Sequence, residues 1–419
     1  MRAPPKRRRA LAAAISLLAV VGVDRAAGRA PLCPSVLMVD EASWARAAEH
    51  VMRASELLVG VRPEAKWVQL VPTLHVELDA RLRVQRFGLR TKHHAAWDSL
   101  DNFSPADAAT EAFRQKRVDQ LAAAIEQAVH RGLNVAIVPH LDAAGPVQEW
   151  RNRFDFAPDH AYGGASFDEL LLRPIVEAIE QAGATDLDVD LMLGGEMGRS
   201  WFTHPAAYEQ LVRTYGDRLK SRPRLGRVRI GVALNWSGVT GLGDDRQNDA
   251  GPALRAAFDA VDFVGFSCYA PVSVPPTADD FRVAVLNFRR ELLAAGVDLG
   301  GTPIQMSEIA IGGGPRGAIL EDIAAAPWRG VGVGYEPWRD AQRQKLRRDY
   351  HNALCEFLAR PHASAAANVD TAFATDAAEL SIVERAYLWS EGPWDPQGVQ
   401  RNGQRDPNVV DRIRRHNGQ

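Results

Sequence analysis

Cysteine is scarce. Cys33, Cys268 and Cys355 are the only three in 419 residues, too few and too scattered for a disulfide framework or a zinc cluster. HExxH, GxSxG, a GxGxxG after an early strand and a GKS or GKT loop are all missing, as is a tight carboxylate cluster suited to Mg2+. Metalloprotease, serine hydrolase, dinucleotide-binding and phosphoryl-transfer chemistry therefore lack their usual parts. His93 and His94 in TKHHAAW are adjacent, which turns them to opposite sides of an extended chain or apart on a helix and makes them a poor metal pair. No metal and no organic cofactor is expected. Low-complexity segments and clear internal repeats are also lacking.

Apolar runs long enough to span a bilayer are missing too. The run from Leu11 to Val23 has thirteen residues, whereas a spanning helix needs about 20. It follows Lys6, Arg7, Arg8 and Arg9 and precedes a small-residue segment ending near Ala30, the order of a secretory signal peptide. Residues 1–30 are expected to be such a signal, or a membrane anchor if uncleaved, so the location is expected to be periplasmic or secreted. Cys33 in APLC is a weak match to a lipid-attachment site, because Leu32 stands where a small residue belongs. Without residues 1–30 the chain carries 43 Lys plus Arg against 51 Asp plus Glu, a net charge of −8. Such a surface repels nucleic-acid phosphates. Neither a nucleic-acid partner nor an integral membrane domain beyond the signal is expected.

The composition of the whole chain is ordinary for a soluble globular protein, at 46% hydrophobic and 24% charged residues. Strand-like apolar runs occur at Val36–Val39, Trp67–Val71, Asn134–Val138, Leu187–Leu193, Val228–Leu234, Val261–Ser267, Pro303–Met306 and Ile382–Trp389. Helical patterns separate them. Val118, Leu121, Ile125 and Val129 share one face before a stop at Gly132. Ser166 with Glu169 makes a capping box for a helix that Pro174 is expected to kink, and Thr277 with Asp280 opens another that ends at Gly296. Eight continuous apolar strands alternating with helices need a parallel sheet covered on both faces, and the count fits a closed (β/α)8 barrel with long βα loops; an open doubly wound sheet is the alternative. The expected division is a signal over 1–30, one catalytic domain over 31–400 and a polar tail over 401–419.

In such a barrel the reactive groups lie where strands run into βα loops. The third run ends in PHLD with His140 and Asp142, the fourth in GGE with Glu196, and the fifth in LNW with Asn235 and Trp236. The sixth ends in SCYAP with Tyr269, the seventh in QMSE with Glu308, and the eighth in YLWSEGPW with Trp389, Glu391 and Trp394. Two carboxylic acids across one barrel mouth suit glycoside hydrolysis, which needs one group to protonate the leaving oxygen and another to trap the oxocarbenium-like centre.

The order of WVQLVPTLHVE, HRGLNVAIVPHLD, LGGEMG, ALNWSG, VDFVGFSCYAPV, PIQMSEIAIGGG and AYLWSEGPW resembles the clan of retaining (β/α)8 glycoside hydrolases, and most nearly the mannanase-like glycoside hydrolase family 113. The resemblance runs from about Trp67 to Trp394. It implies Glu196 as general acid/base, Glu308 as nucleophile, Tyr269 as the residue holding Glu308 and Trp389 as the floor under the sugar. His140 and Asp142 would bind sugar hydroxyls or tune Glu196, and Asn235, Trp236 and Trp394, with Trp150 and Trp338 on the long loops, would line the cleft. The implied substrate is a β-linked polysaccharide or oligosaccharide, mannan-like by family. Many clan members carry Asn immediately before the acid/base, where Gly195 stands here, so hydroxyl recognition comes from elsewhere, the sugar differs, or activity is lost. The contrasting expectation is a catalytically silent barrel that binds glycan during polysaccharide export or assembly.

Overall fold

The structure, a computed structural model, describes residues 29–91, 100–105, 111–183, 185–242, 251–315, 317–331, 338, 340–359, 383–390, 397–399 and 405–418. Residues 1–28, and with them nearly all of the expected signal segment, lie outside these, as do His93, His94, Glu391 and Trp394.

All eight apolar runs are strands: β1 (Leu32–Met38), β2 (Trp67–Leu78), β3 (Asn134–Ile137), β4 (Leu187–Gly195), β5 (Leu225–Asn235), β6 (Phe263–Cys268), β7 (Ile304–Ile309) and β8 (Val383–Leu388). Each pairs in parallel with the next, and β1 pairs with both β2 and β8, in register Ser35 with Gln69 and Leu32 with Ala386. The sheet closes into the expected (β/α)8 barrel. A helix follows every strand: α1 (Ala47–Ser55), α2 (Glu111–His130), α3 (Arg173–Gln181), α4 (Pro205–Lys220), α5 (Pro252–Asp259), α6 (Ala278–Ala294), α7 (Ala341–Ala359) and α8 (Pro407–His416).

The local signals act as their chemistry dictates. Gly132 ends α2 with φ +64°, a conformation that costs glycine nothing. Both halves of the Thr277–Asp280 capping box are made. Ser166 and Glu169 also cap each other, with Ser166 N–H to Glu169 Oε2 at 3.0 Å and Glu169 N–H to Ser166 Oγ at 3.1 Å. Pro174 supplies no amide to the ladder, and a π turn over Asp168–Leu172 precedes α3.

The polar tail expected over 401–419 is corrected by α8. Only Val409, Val410 and Ile413 give this helix an apolar face, too short a stripe to register among its arginines, yet all three are buried. Asp406 caps it by accepting from the Asn408 amide, with Pro407 in the first turn. Beyond it the buried Asn417 side chain accepts from the Leu32 amide at 3.1 Å and donates to the Leu32 carbonyl at 2.8 Å, tying the chain end to β1.

Between strands and helices lies the main core. Inside the barrel two smaller layers stack: Cys33, Trp67, Ala136 and Tyr387 toward the strand N-termini, and a layer including Leu37, Val71, Val138, Met192, Ala233, Phe263, Tyr269 and Trp389 beneath the mouth. The lower interior also holds charge. Asp190, fully buried, accepts from Arg229 at 2.6 and 2.8 Å, from Arg385 at 2.8 Å and from Gln305 at 2.7 Å. Glu384 takes the remaining Arg229 arm at 2.5 Å, and Arg385 lies 3.6 Å over the Trp67 ring. Burial alone would raise the Asp190 carboxyl, but the two guanidiniums and the amide outweigh it and hold its pKa below the ordinary value.

Asp190→Ala leaves two buried guanidiniums without their shared counter-charge. We expect it to destabilise the fold by about 3–5 kcal/mol, read as a lower denaturant midpoint; an unchanged midpoint would show that the network contributes nothing net.

Candidate active site

The mouth is built by strands that overrun the barrel. β2 continues past its barrel partners to pair with His140–Ala144 and, antiparallel, with Val84–Arg90, which in turn pairs with Phe103–Pro105. This ledge fixes His140 and Asp142, with Asp142 opposite His75. The loop beyond it makes one tight turn at Arg151–Arg153.

Both glutamates stand where strand register slips. In β7, Met306 pairs with Phe266 but Glu308 pairs with Ser267, so β7 carries one extra residue. Met306 faces the helices, and strict alternation would send Glu308 the same way; the bulge turns it into the mouth instead. β4 slips between Met192 and Gly195, and Glu196 follows with φ +58°, a left-handed conformation that costs a non-glycine residue about 1–2 kcal/mol. The backbone there is pinned by Glu196 N–H to the Ala233 carbonyl and Gly195 N–H to the Pro139 carbonyl, both 2.9 Å.

Glu196 is fully buried and Glu308 is 3% exposed. Each has one anchored oxygen. Arg151 Nη1 donates to Glu196 Oε2 at 2.5 Å, and the Tyr269 hydroxyl donates to Glu308 Oε1. The other oxygens, Glu196 Oε1 and Glu308 Oε2, have no hydrogen-bond partner among the described residues, and neither has His140 Nδ1. Buried polar atoms are nearly always satisfied, so the two unpartnered carboxylate oxygens mark where a polar ligand would be held.

Among the described residues the electrostatics follow from one cation among three acids. Burial would lower the Arg151 proton affinity, but Asp142, Glu196 and Glu308 outweigh it and keep the guanidinium charged. Burial would raise Asp142, but Arg151 at 2.5 Å outweighs it and pulls it down to about 2. Burial and its neighbour Glu196 push Glu308 well up against the opposing pull of Arg151 and Tyr269. Burial also raises Glu196, opposed by Arg151 and the Ser267 hydroxyl. The two glutamates thus titrate as a pair that resists a second negative charge. Burial, then Arg151, holds His140 well below the ordinary histidine range and therefore neutral. Its Nε2 lies 3.8 Å from Glu308 Oε2.

His140 also accounts for Gly195. A Cβ on Gly195 would lie 2.3 Å from His140 Cδ2 and 2.4 Å from Nε2, so the imidazole occupies the space that any side chain before Glu196 would need. The ring stacks on Trp389 at 5.5 Å and 18°. Tyr269, Trp389 and the half-buried Trp236 pack in one layer at the mouth, and Asn235 ends β5 beside Ser267. Trp338 is buried, with the Arg347 guanidinium of α7 5.0 Å from its ring. Trp150 is 40% exposed with its ring 4.8 Å from the Arg151 guanidinium. Arg151 itself escaped the sequence reading. Its one signal was its place in the long loop after PHLD, because no periodicity points a loop arginine at a strand end.

Among the described residues no group of three or more His, Cys, Asp or Glu is placed to hold a metal ion, and no helix is long and apolar enough to cross a membrane.

No family model matches the sequence, and no curated protein does. Solved structures are similar in fold. A family 113 β-1,4-mannanase has 12% identity and a TM-score of 0.50 over 93% of this chain and 99% of that one. The family 113 β-mannanase of Alicyclobacillus acidocaldarius, solved with ManMIm, has 15% identity and a TM-score of 0.51 over 93% and 97%. What these structures share with this chain is the (β/α)8 barrel fold.

Gly195→Ala should destabilise the protein by about 1–3 kcal/mol by overpacking. Added to His140→Ala it should cost much less, a coupling of roughly 0.5 kcal/mol or more. Strict additivity in thermal unfolding would rule out the steric conflict.

Proposed function

We propose that this chain is a retaining glycoside hydrolase that cleaves a β-linked polysaccharide or oligosaccharide, with a mannan-like substrate, by double displacement. One observation carries the reading: two buried carboxyls from opposite strands of one mouth, each with one oxygen anchored and one left open. An anchored oxygen fixes direction, and an open one does the chemistry.

In the first step Glu308 Oε2 attacks the anomeric carbon as the glycosidic C–O bond breaks, and Glu196 Oε1 gives its proton to the departing oxygen. Tyr269 supports this division by donating to Glu308, which favours the ionised nucleophile. Arg151 favours charge on Glu196 and Asp142 offsets part of that pull; burial and Glu196 push Glu308 well up, so the pair shares a proton, and the first step draws on the form in which that proton sits on Glu196. In the second step the glycosyl ester has removed the charge of Glu308, so Glu196 can accept a proton from the water whose oxygen attacks the anomeric carbon and frees Glu308. His140 fills the space beside Glu308 that the missing amide at position 195 leaves, and its open Nδ1 supports a role in binding a sugar hydroxyl. Asp142, Asn235, Trp236 and Trp389 complete the proposed cleft, and Trp394 is assigned there from sequence alone. The basic, apolar and small-residue order of residues 1–30 supports export to the periplasm or beyond.

The buried Glu196–Arg151 pair favours a second reading, because an acid held ionised would leave a barrel that binds glycan without cleaving it. A panel of β-mannans, β-glucans and β-galactans separates the two. Turnover on one of them is expected; binding to one without product release would establish the silent binder. On the active substrate Glu308→Gln should abolish turnover and Glu196→Gln lower it about 10²–10⁴-fold, with unfolding midpoints near that of the parent. A parent-like rate in either variant refutes its assigned role.

A further inference from the structure

The reaction requires Glu196 to give up a proton in one step and take one in the next, and its surroundings decide how readily it does either. From β3 and its extension it is faced by His140 and Asp142, from β6 by Tyr269 and the Ser267 hydroxyl, from β7 by Glu308, and from the loop after β3 by Arg151. His75 on β2 stands behind Asp142. Among the described residues Arg151 is the one formal cation that touches it.

That cation is held rigidly. Its Nε donates to the Leu141 carbonyl at 2.9 Å, Nη1 to Glu196 at 2.5 Å and Nη2 to Asp142 at 2.5 Å, and the side chain is only 7% exposed. The next residue locks the turn. Buried Asn152 donates to the Gly238 carbonyl at 2.7 Å in the loop after β5, and accepts from the Gly198 amide at 3.0 Å just beyond Glu196. The backbones pack so closely that a Cβ on Gly241 would meet the Asn152 carbonyl oxygen at 1.9 Å, and one on Gly198 the Val239 carbonyl oxygen at 2.0 Å. A planar fork with all three edges engaged leaves the guanidinium one orientation.

We propose that Arg151 is a positioning residue for the acid/base: backed by Asp142, it fixes the direction of the Glu196 carboxyl and sets the pH at which that carboxyl loses its proton. This deepens the glycosidase reading and rests on Glu196 being the acid/base. Asp142 is the counterweight. An unshared guanidinium would leave Glu196 ionised and useless for the first step; a guanidinium shared with Asp142 orients Oε2 while Oε1 keeps its proton. The sign follows. kcat/KM falls as pH rises through the Glu196 pKa, because the first step needs that proton. Arg151 lowers this pKa and Asp142 raises it.

The test compares the full-length parent with Arg151→Met, Arg151→Lys and Asp142→Asn. Two quantities are read: the pH profile of kcat/KM on an aryl β-glycoside and on the unactivated oligosaccharide, and the Glu196 carboxyl titration by 13C NMR, assigned with Glu196→Gln. Arg151→Met should move the basic limb and the titration up by about one pH unit or more, and Asp142→Asn should move both down. Arg151→Lys should stay near the parent in pH but lose part of the orientation. In Arg151→Met, kcat on the oligosaccharide should drop about 10²-fold, and less on the aryl glycoside, whose leaving group needs little protonation. A limb and titration that do not move in Arg151→Met overturn the proposal. If that variant fails to fold, a Glu196 titration that does not move down in Asp142→Asn overturns it equally. The NMR readout needs no turnover, so a protein inactive on every glycan would refute the hydrolase reading while the titration still decides whether Arg151 governs Glu196.

Discussion

Closure is the constraint on which the rest depends. Eight parallel strands leave two rows of unpaired backbone groups unless the sheet has no edge, and here β1 removes the edges by pairing with β2 on one side and β8 on the other. Closure makes an interior that must be filled. Toward the strand N-termini this is done partly with charge, Asp190 and Glu384 against Arg229 and Arg385, with Trp67 under a guanidinium. Nearer the mouth an apolar layer takes over, and the glutamates sit on top of it. That apolar floor is why their charge is costly, and why one guanidinium so strongly affects the balance between them.

The mouth economises on cations. Among the described residues three carboxyls and a neutral imidazole surround a single arginine, so these three acids are not all ionised at once. Asp142 is the acid that Arg151 satisfies most fully, which leaves the two glutamates to divide one proton. Such a division suits a reaction in which one carboxyl must be charged while the other is not, and in which the roles of acid and base alternate on the same side chain.

The elements legible in the sequence were those with strong local signals. Each barrel strand showed as an apolar run, and the helix stop at Gly132 and the capping boxes at Ser166 and Thr277 held because their chemistry is confined to a few neighbouring residues. α8 was not legible, since three apolar residues among ten make no visible stripe and its burial comes from α7 and the turn at Glu56–Leu58, which lie far away in sequence. The meeting of Glu196, Glu308, His140, Tyr269 and Trp389 could be anticipated from strand ends alone. Arg151 could not, because a loop side chain is aimed by contacts such as those of Asn152 rather than by periodicity.

Continuous apolar runs alternating with helical patterns thus determined that this chain forms a parallel sheet covered on both faces and which residues stand at its strand ends, because period and order survive any detail of packing; closure is seen in the pairing of β1 with β8. Only the tertiary structure decided where those residues point. A single extra residue in β7 and a left-handed backbone at Glu196 reverse directions that a regular strand would assign, and such irregularities are stabilised by the neighbouring strands and loops. The same holds for Gly195, whose missing side chain has a cause only once the His140 ring is seen to fill the space beside it.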